Sequence, residues 1–403
     1  MSDIVLINVS GPDRPGLTSS LMGILAESDV RILDIGQAMI HDTLSLGMLV
    51  KIPDEAGMTP VLKDVLFHAH HLDLRVRFTP ITAERYEQWV RGEEARRYVI
   101  TLLGRRVTAQ QIGRIAGVIT DSGLNIEDIV RLSGRTPLHD EHSTRPACIE
   151  LTVRGHPPDP DAMKATFLEL SQELAVDISF QEENLYRRNR RLVVFDMDST
   201  LIEQEVIDEL AAEAGAGEEV SRITAAAMAG ELDFTESLRR RVACLEGLEE
   251  SVLERVAGRL RLTEGAERLL GILKSLGYKT AVISGGFDYF GRRLQTRLGL
   301  DYMHANVLEI SAGRLTGRVL GPVIDGARKA QLLEATARQE GLSAEQVVAV
   351  GDGANDLPML RAAGLGIAFH AKPLVQRSAR QAISTVGLDG VLYLMGIKDP
   401  EHG

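Results

Sequence analysis

Four apolar residues, Leu192-Val193-Val194-Phe195, run straight into Asp196-Met197-Asp198-Ser199-Thr200, where two carboxylates stand two positions apart and two hydroxyls follow. A carboxylate can accept a phosphoryl group as an acyl phosphate, and a second carboxylate beside it can give a proton to a leaving oxygen and take one from water. Asp196 is therefore a candidate nucleophile and Asp198 a candidate acid and base. The same pattern of apolar run and polar tip recurs twice: Thr280 to Ile283 leads into Ser284-Gly285-Gly286, and Val347 to Val350 leads into Gly351-Asp352-Gly353-Ala354-Asn355-Asp356. Any one aspartate after a strand would read as a cap or turn residue. Three coincident tips instead place a hydroxyl, several backbone amides and four carboxylates on one rim.

So many carboxylates repel one another, and a bound cation relieves the repulsion. An all-oxygen donor set suits a hard ion, and Mg²⁺ commonly takes one or two carboxylates with waters and phosphate oxygens. Lys329 opens the helical stretch Ala330 to Arg338 close to the third tip. An ammonium there would stabilise phosphoryl oxygens in transfer. Ser284 and the amides around Gly285 and Gly286 could hold the remaining oxygens.

The elements that must position these residues are short buried strands separated by helices, which right-handed crossovers assemble into a parallel sheet. Ligands bind at the carboxyl ends of such strands. The region is α/β.

The four segments, in this order, resemble the signature motifs of the haloacid dehalogenase superfamily, and the nearest pattern within it is that of the phosphoserine phosphatases. The resemblance spans roughly residues 190–395, in a domain expected over 190–398. It implies a Rossmann-like parallel sheet with a helical cap, an aspartyl phosphate formed on Asp196, and acid–base work by Asp198. Mg²⁺ would be held by the Asp196 carboxylate, the Asp198 backbone carbonyl and Asp352, with Asp356 supporting the metal. Ser284, Gly285 and Lys329 would bind phosphate, and Asn355 would hold substrate oxygens. Residues 204–275, with helical spacing in Glu205 to Leu210 and Ser237 to Val242, read as the cap. The resemblance matches Glu205 to the substrate ammonium and Arg241 to its carboxylate, with Met228 and Phe234 closing the pocket. The implied reaction is hydrolysis of O-phospho-L-serine to L-serine and phosphate, the last step of serine synthesis. Phosphoryl transfer to an alcohol such as homoserine is the alternative chemistry. A binding protein with a silent phosphatase body is disfavoured, because every expected catalytic position is occupied.

Ahead of this region lie two copies of a βαββαβ unit, residues 1–82 and 97–182. Strands are expected at 3–9, 31–40, 44–52 and 73–81, then at 97–103, 125–132, 147–154 and 176–182, with two helices in each copy. Ser28-Asp29-Val30-Arg31-Ile32-Leu33-Asp34-Ile35 is echoed by Ser122-Gly123-Leu124-Asn125-Ile126-Glu127-Asp128-Ile129. Both copies are ferredoxin-like, and the turn Gly11 to Leu17 resembles the first loop of ACT domains, which bind small amino acids. That resemblance implies an effector site at Asp13 and Gly16, with L-serine as the candidate ligand. In the second copy Gln110 falls about where Gly16 lies, so packing or dimerisation is the expected role there. Pairing of edge strands would give a homodimer.

Ala83 to Arg97 reads as a charged connector and Glu182 to Arg191 as a solvated, arginine-rich link. A net charge of -12 argues against a nucleic-acid footprint. His139 and His142, in a polar loop, lack the further ligands a zinc site needs, and His68, His70 and His71 read as surface or packing residues. Cys148 and Cys244, the chain's two cysteines, read as buried thiols rather than a disulfide. With no leader pattern and no apolar run of about 18 residues, neither secretion nor membrane insertion is expected, and a cytoplasmic location is.

Overall fold

The computed structural model describes residues 3–92, 95–135 and 145–399. His139 and His142 lie outside them. The chain forms two compact units, Met1–Ala95 and Arg96–Gly403.

The first unit is one βαββαβ repeat. Its strands Asp3–Pro12 (β1), Arg31–Ile40 (β2), Thr43–Ile52 (β3) and Arg75–Ile81 (β4) form an antiparallel sheet in the order β2-β3-β1-β4. Leu17, Leu21 and Leu25, one helical turn apart, bury one face of the helix Leu17–Glu27, and Val61, Val65 and Ala69 do the same for Met58–His71. β3 alternates exposed and buried residues, as expected of a sheet with one covered face. The expected connector instead contains a helix, Ala83–Gly92, because its charges fall at helix-compatible spacing with neither proline nor internal glycine to break it.

The second repeat opens the second unit. Arg97–Gly104 (β5), Asn125–Arg131 (β6), Ala147–Arg154 (β7) and Asp177–Glu182 (β8) take the matching order β6-β7-β5-β8. The duplication extends to a bulge, since the register slips between Ile32 and Asp34 in one copy and between Ile126 and Asp128 in the other. Burial distinguishes the copies. β5 is buried along seven consecutive residues and β8 along five, so both faces of the sheet are covered at these two strands, whereas the edge strand β6 stays exposed. Leu103, Leu132 and Cys148 belong to the core of the C-terminal body. Asp177 accepts hydrogen bonds from the backbone of Ser384 (2.8 Å) and Thr385 (3.0 Å), and Gln181 donates to the Leu394 carbonyl (3.0 Å). Packing is thus what this copy does within its unit.

The link 182–191 differs from the solvated segment expected. Arg187 and Arg190 are 1 % and 6 % exposed, and Arg187 pairs with the buried Glu150 of β7. A long guanidinium stem can be buried where a carboxylate meets its head. Cys148 is buried as expected, whereas Cys244 is only half-buried.

The C-terminal body is built on a sheet of seven strands: Leu192–Phe195 (β9), Lys279–Phe287 (β10), Tyr302–Ser311 (β11), Arg314–Leu320 (β12), Val347–Gly351 (β13), Leu365–Phe369 (β14) and Gln381–Ile383 (β15), in the order β12-β11-β10-β9-β13-β14-β15. All neighbours are parallel except β11 and β12, an antiparallel hairpin. β9, β13 and β14 are buried throughout, as strands covered on both faces must be. The chain leaves β9 toward β10 on one side and returns to β13 on the other, so strand order reverses beside β9 and opens a crevice at the carboxyl ends. Four helices between residues 206 and 257 form the cap: Val206–Glu213, Gly217–Met228, Phe234–Ala243 and Ser251–Ala257. The fifth helix of the expected cap, Ala266–Ser275, packs on β10 as its crossover, burying Leu269, Leu270 and Leu273 in the core.

Candidate active site

The crevice at β9 gathers the three polar tips. Asp196 continues β9, its N–H donating to the Val350 carbonyl (2.9 Å) while its own Oδ1 accepts from the Met197 N–H (2.7 Å). Lys329 lies in the first turn of the helix Gly326–Gln339, which Asp325 caps by accepting from the Arg328 N–H (2.8 Å). Its fully buried Nζ sits 2.8 Å from Asp196 Oδ2 and 2.6 Å from Asp356 Oδ1. Asp356 Oδ2 accepts from the Gly353 N–H (2.9 Å), and Thr200 donates its hydroxyl to Asp352 Oδ1 (3.2 Å). Carboxylate oxygens of Asp196, Asp352 and Asp356 all lie within 4.8 Å of one another.

Charge is unbalanced here. Burial, reinforced by Asp356 and Asp352, pushes Asp196 up to about 8 although Lys329 opposes the shift. Burial with Asp356 and Glu205 pushes Asp352 up to about 7. Asp198 is raised well above the carboxylate range by burial, Glu205 and Asp196. Lys329 moves upward, because Asp196 and Asp356 outweigh its desolvation. One lysine cannot neutralise this group, and a divalent cation among the oxygens of Asp196 and Asp352 would. The donor set fits Mg²⁺. With both oxygens of Asp356 engaged by Lys329 and Gly353, that residue is suited to supporting the site.

The second tip faces Asp198. Ser284, fully buried, accepts the Gly286 N–H at its Oγ (2.8 Å). A Cβ at Gly286 would fall 2.3 Å from Asp198 Oδ2, so only glycine lets the two tips approach this closely. Asn306, buried at 3 % exposure, locks the turn by donating to the Gly285 carbonyl (2.8 Å) and accepting from the Ile324 N–H (2.9 Å). Neither Asn306 nor Thr200 was among the expected site residues. The lone amide inside the apolar strand Ala305-Asn306-Val307-Leu308 was the available signal for the first. Asn355 is half-buried on the third tip, its Oδ1 turned over Gly353.

The cap brings its own residues. Glu205, at the N-terminus of Val206–Glu213, accepts the Ser199 hydroxyl at Oε1 (2.7 Å). Arg241 is drawn to Glu205, Asp208 and Asp198, while burial lowers its guanidinium from its usual value. Its buried Nε has no hydrogen-bond partner. Phe234 lies against the second tip, its ring atom 2.8 Å from where a Gly285 Cβ would stand. Met228 differs: it is 63 % exposed and touches Lys372.

In the first repeat, Asp13 and Gly16 occupy the turn between β1 and Leu17–Glu27. Gly16, at φ 91°, is the N-cap and no side chain caps the helix. The equivalent N-cap of the second repeat is Thr108 rather than the neighbourhood of Gln110, and Thr108 and Gln111 satisfy each other's backbone amides in a capping box.

A reversing parallel sheet with carboxylates, a buried lysine and a hydroxyl at its tips, roofed by a helical insertion, defines the class of haloacid dehalogenase-like hydrolases, whose family pattern matches residues 190–364. The ACT domain pattern matches residues 3–79 and, in a second form, 97–181. A haloacid dehalogenase family hydrolase from Salmonella enterica serovar Typhi superposes with a TM-score of 0.63 at 32 % identity, over 74 % of this chain and 98 % of that one. A phosphoserine phosphatase of Streptomyces coelicolor is 43 % identical over 98 % of this chain and 93 % of its own length. One of Mycobacterium tuberculosis is 41 % identical with the same coverage of each. The chain belongs to the phosphoserine phosphatase family.

Proposed function

We propose that the protein hydrolyses O-phospho-L-serine to L-serine and inorganic phosphate, the closing step of serine formation. The observation that carries this reading is the fully buried Lys329 held between Asp196 and Asp356 at the crevice. Asp196 Oδ attacks phosphorus, the bond from phosphorus to the serine oxygen breaks, and Asp198 delivers its proton to that oxygen. Asp198, raised in pKa by its surroundings, holds a proton for this step. Water then attacks the acyl phosphate, Asp198 takes the water's proton, and phosphate departs to restore the Asp196 carboxylate. Ser284 and the Gly285 and Gly286 backbone would cradle the phosphoryl oxygens with Lys329 and Asn355. Mg²⁺, held by Asp196, the Asp198 carbonyl and Asp352 with Asp356 in support, would supply charge neutralisation of the carboxylates and the incoming dianion.

Glu205 and Arg241 would read the amino-acid head, the first taking the ammonium and the second the carboxylate, with Phe234 as a wall. Replacing Arg241 with Met should therefore raise KM for phosphoserine at least about 10-fold, the size of a lost charged hydrogen bond. Turnover of p-nitrophenyl phosphate, which lacks the head, should stay within about twofold of wild type. Steady-state kinetics on both esters checks this, and equal losses on both would remove the head-reading role. Phosphate release from phosphoserine, phosphothreonine and sugar phosphates, with and without a chelator, tests the function itself. Preference for phosphoserine and restoration by added Mg²⁺ are the expected results.

The first repeat would take an amino acid, with L-serine as the candidate ligand, its ammonium on Asp13 and its carboxylate at the uncapped helix start beyond Gly16. The edge strands β2 and β6 carry exposed Ile35, Met39, Ile40, Ile129 and Val130, which supports a homodimer formed along such edges. Titrating L-serine into the full chain carrying Asp196→Asn should give saturable heat that Asp13→Ala abolishes.

A further inference from the structure

The cap tip crosses the rim in a definite direction. Phe234 stands against Gly285 at the end of β10, and at the other end of the same loop Met228 meets Lys372, which follows β14; Lys372 Nζ lies 3.6 Å from Met228 Sδ. β9 and β13 lie between β10 and β14 in the sheet, so residues 228–234 roof the tips that bear Asp196 and Asp352. The two ends of this roof differ. Phe234 is half-buried in contact with the core, whereas Met228 and Lys372 are both exposed. The β14 side is thus the solvent-facing end of this roof.

The backbone that carries Lys372 is fixed. The His370 N–H donates to the Ile383 carbonyl (2.7 Å), and Lys372 caps the short helix Pro373–Ser378, its carbonyl accepting from the Val375 N–H (2.9 Å). Gln376 ties the Ala371 carbonyl (2.8 Å) to Ser384 Oγ (3.0 Å). The side chain extends from this backbone into solvent. Among the described residues no carboxylate pairs with its ammonium, whose contact is the Met228 sulfur. A dianion approaching this rim meets Asp352, Asp198 and Glu205, and the positive charge of Lys329 is buried beneath them with two carboxylates of its own.

We propose that Lys372 is a substrate-capture residue, presenting an unpaired ammonium to the phosphate dianion at the solvent-facing end of the roof before the ester reaches Lys329. This rests on the phosphatase reading above. Long-range attraction of this kind acts on capture and weakens with salt, while leaving the chemical step alone.

The test compares wild type with Lys372→Met, Lys372→Glu and Lys372→Arg, at fixed saturating Mg²⁺ and varied NaCl, on phosphoserine and p-nitrophenyl phosphate. Lys372→Met replaces the ammonium–sulfur contact with an apolar one and, at an exposed site, leaves folding intact. At low salt it should lower kcat/KM about 3- to 10-fold on both esters with kcat within about twofold, and flatten the dependence on salt. Lys372→Glu should fall further, and Lys372→Arg should match wild type. Unchanged kcat/KM and salt dependence in Lys372→Met would overturn the proposal. A fall in kcat at constant KM, or a loss confined to phosphoserine, would do so too. Failure of wild type to turn over phosphoserine would count against the function instead, since p-nitrophenyl phosphate still reports on capture.

Discussion

Asp196→Asn should abolish turnover, with phosphate release from phosphoserine down about ten-thousand-fold or more, and should not destabilise the fold. The first half follows from chemistry. Asparagine keeps the shape and can still accept the Met197 N–H at its amide oxygen, but the neutral amide is no nucleophile toward phosphorus. The second half follows from charge. Asp196 is pushed up to about 8 by burial and by Asp356 and Asp352, so its ionised form is a net cost in the metal-free protein. Removing that charge leaves Lys329 its pair with Asp356. Phosphate-release assays and thermal melts of the metal-free protein check both halves, with Tm expected at or above that of wild type. A melt several degrees lower would mean that the carboxylate cluster is less strained than its burial indicates.

Lys329→Met should do the opposite to stability. It deletes a fully buried ammonium that lies within 2.8 Å of Asp196 and 2.6 Å of Asp356, leaving those carboxylates facing each other and Asp352. Breaking a buried ion pair from one side costs about 3–5 kcal/mol. Activity should fall about 100- to 1,000-fold, the usual loss when one preorganised charge on a transferring group is removed. Urea unfolding in the absence of divalent ions reads the first effect and kcat the second. The contrast carries the argument: two substitutions on either side of one 2.8 Å contact should both cost activity, the first more than the second, while only the loss of the lysine lowers stability.

The site was largely legible in the residues because its parts lie at the ends of buried parallel strands, where an apolar run followed by a polar tip marks position and exposure together. Asp196, Ser284 and Asp352 could be placed that way, and Lys329 followed from its helix start. Asn306 and Thr200 act by holding other residues, and what they hold is visible only once the tips are adjacent. Lys372 escaped notice because an exposed lysine after a strand has no periodic signature, and its meaning depends on strand order.

Both repeats were legible element by element, the second down to its echo of the first. Their difference in burial was also written in the residues. Tyr98-Val99-Ile100-Thr101-Leu102-Leu103 lacks the alternation of Thr43-Leu44-Ser45-Leu46 and belongs to a strand covered on both sides. The burial of Arg187 was not legible, because its partner Glu150 is 37 residues away on β7. The cap boundary was misjudged for a related reason: helical spacing identifies Ala266–Ser275 as a helix but not the surface it covers, which is β10.

The central claim is that the phosphoryl group passes through Asp196. Acid quenching during turnover of radiolabelled phosphoserine, followed by proteolysis and peptide mapping, measures this directly. Label on the peptide that contains Asp196, absent from the Asp196→Asn protein, is the predicted result. Rapid turnover with no label on that peptide, or label on a different residue, would contradict it.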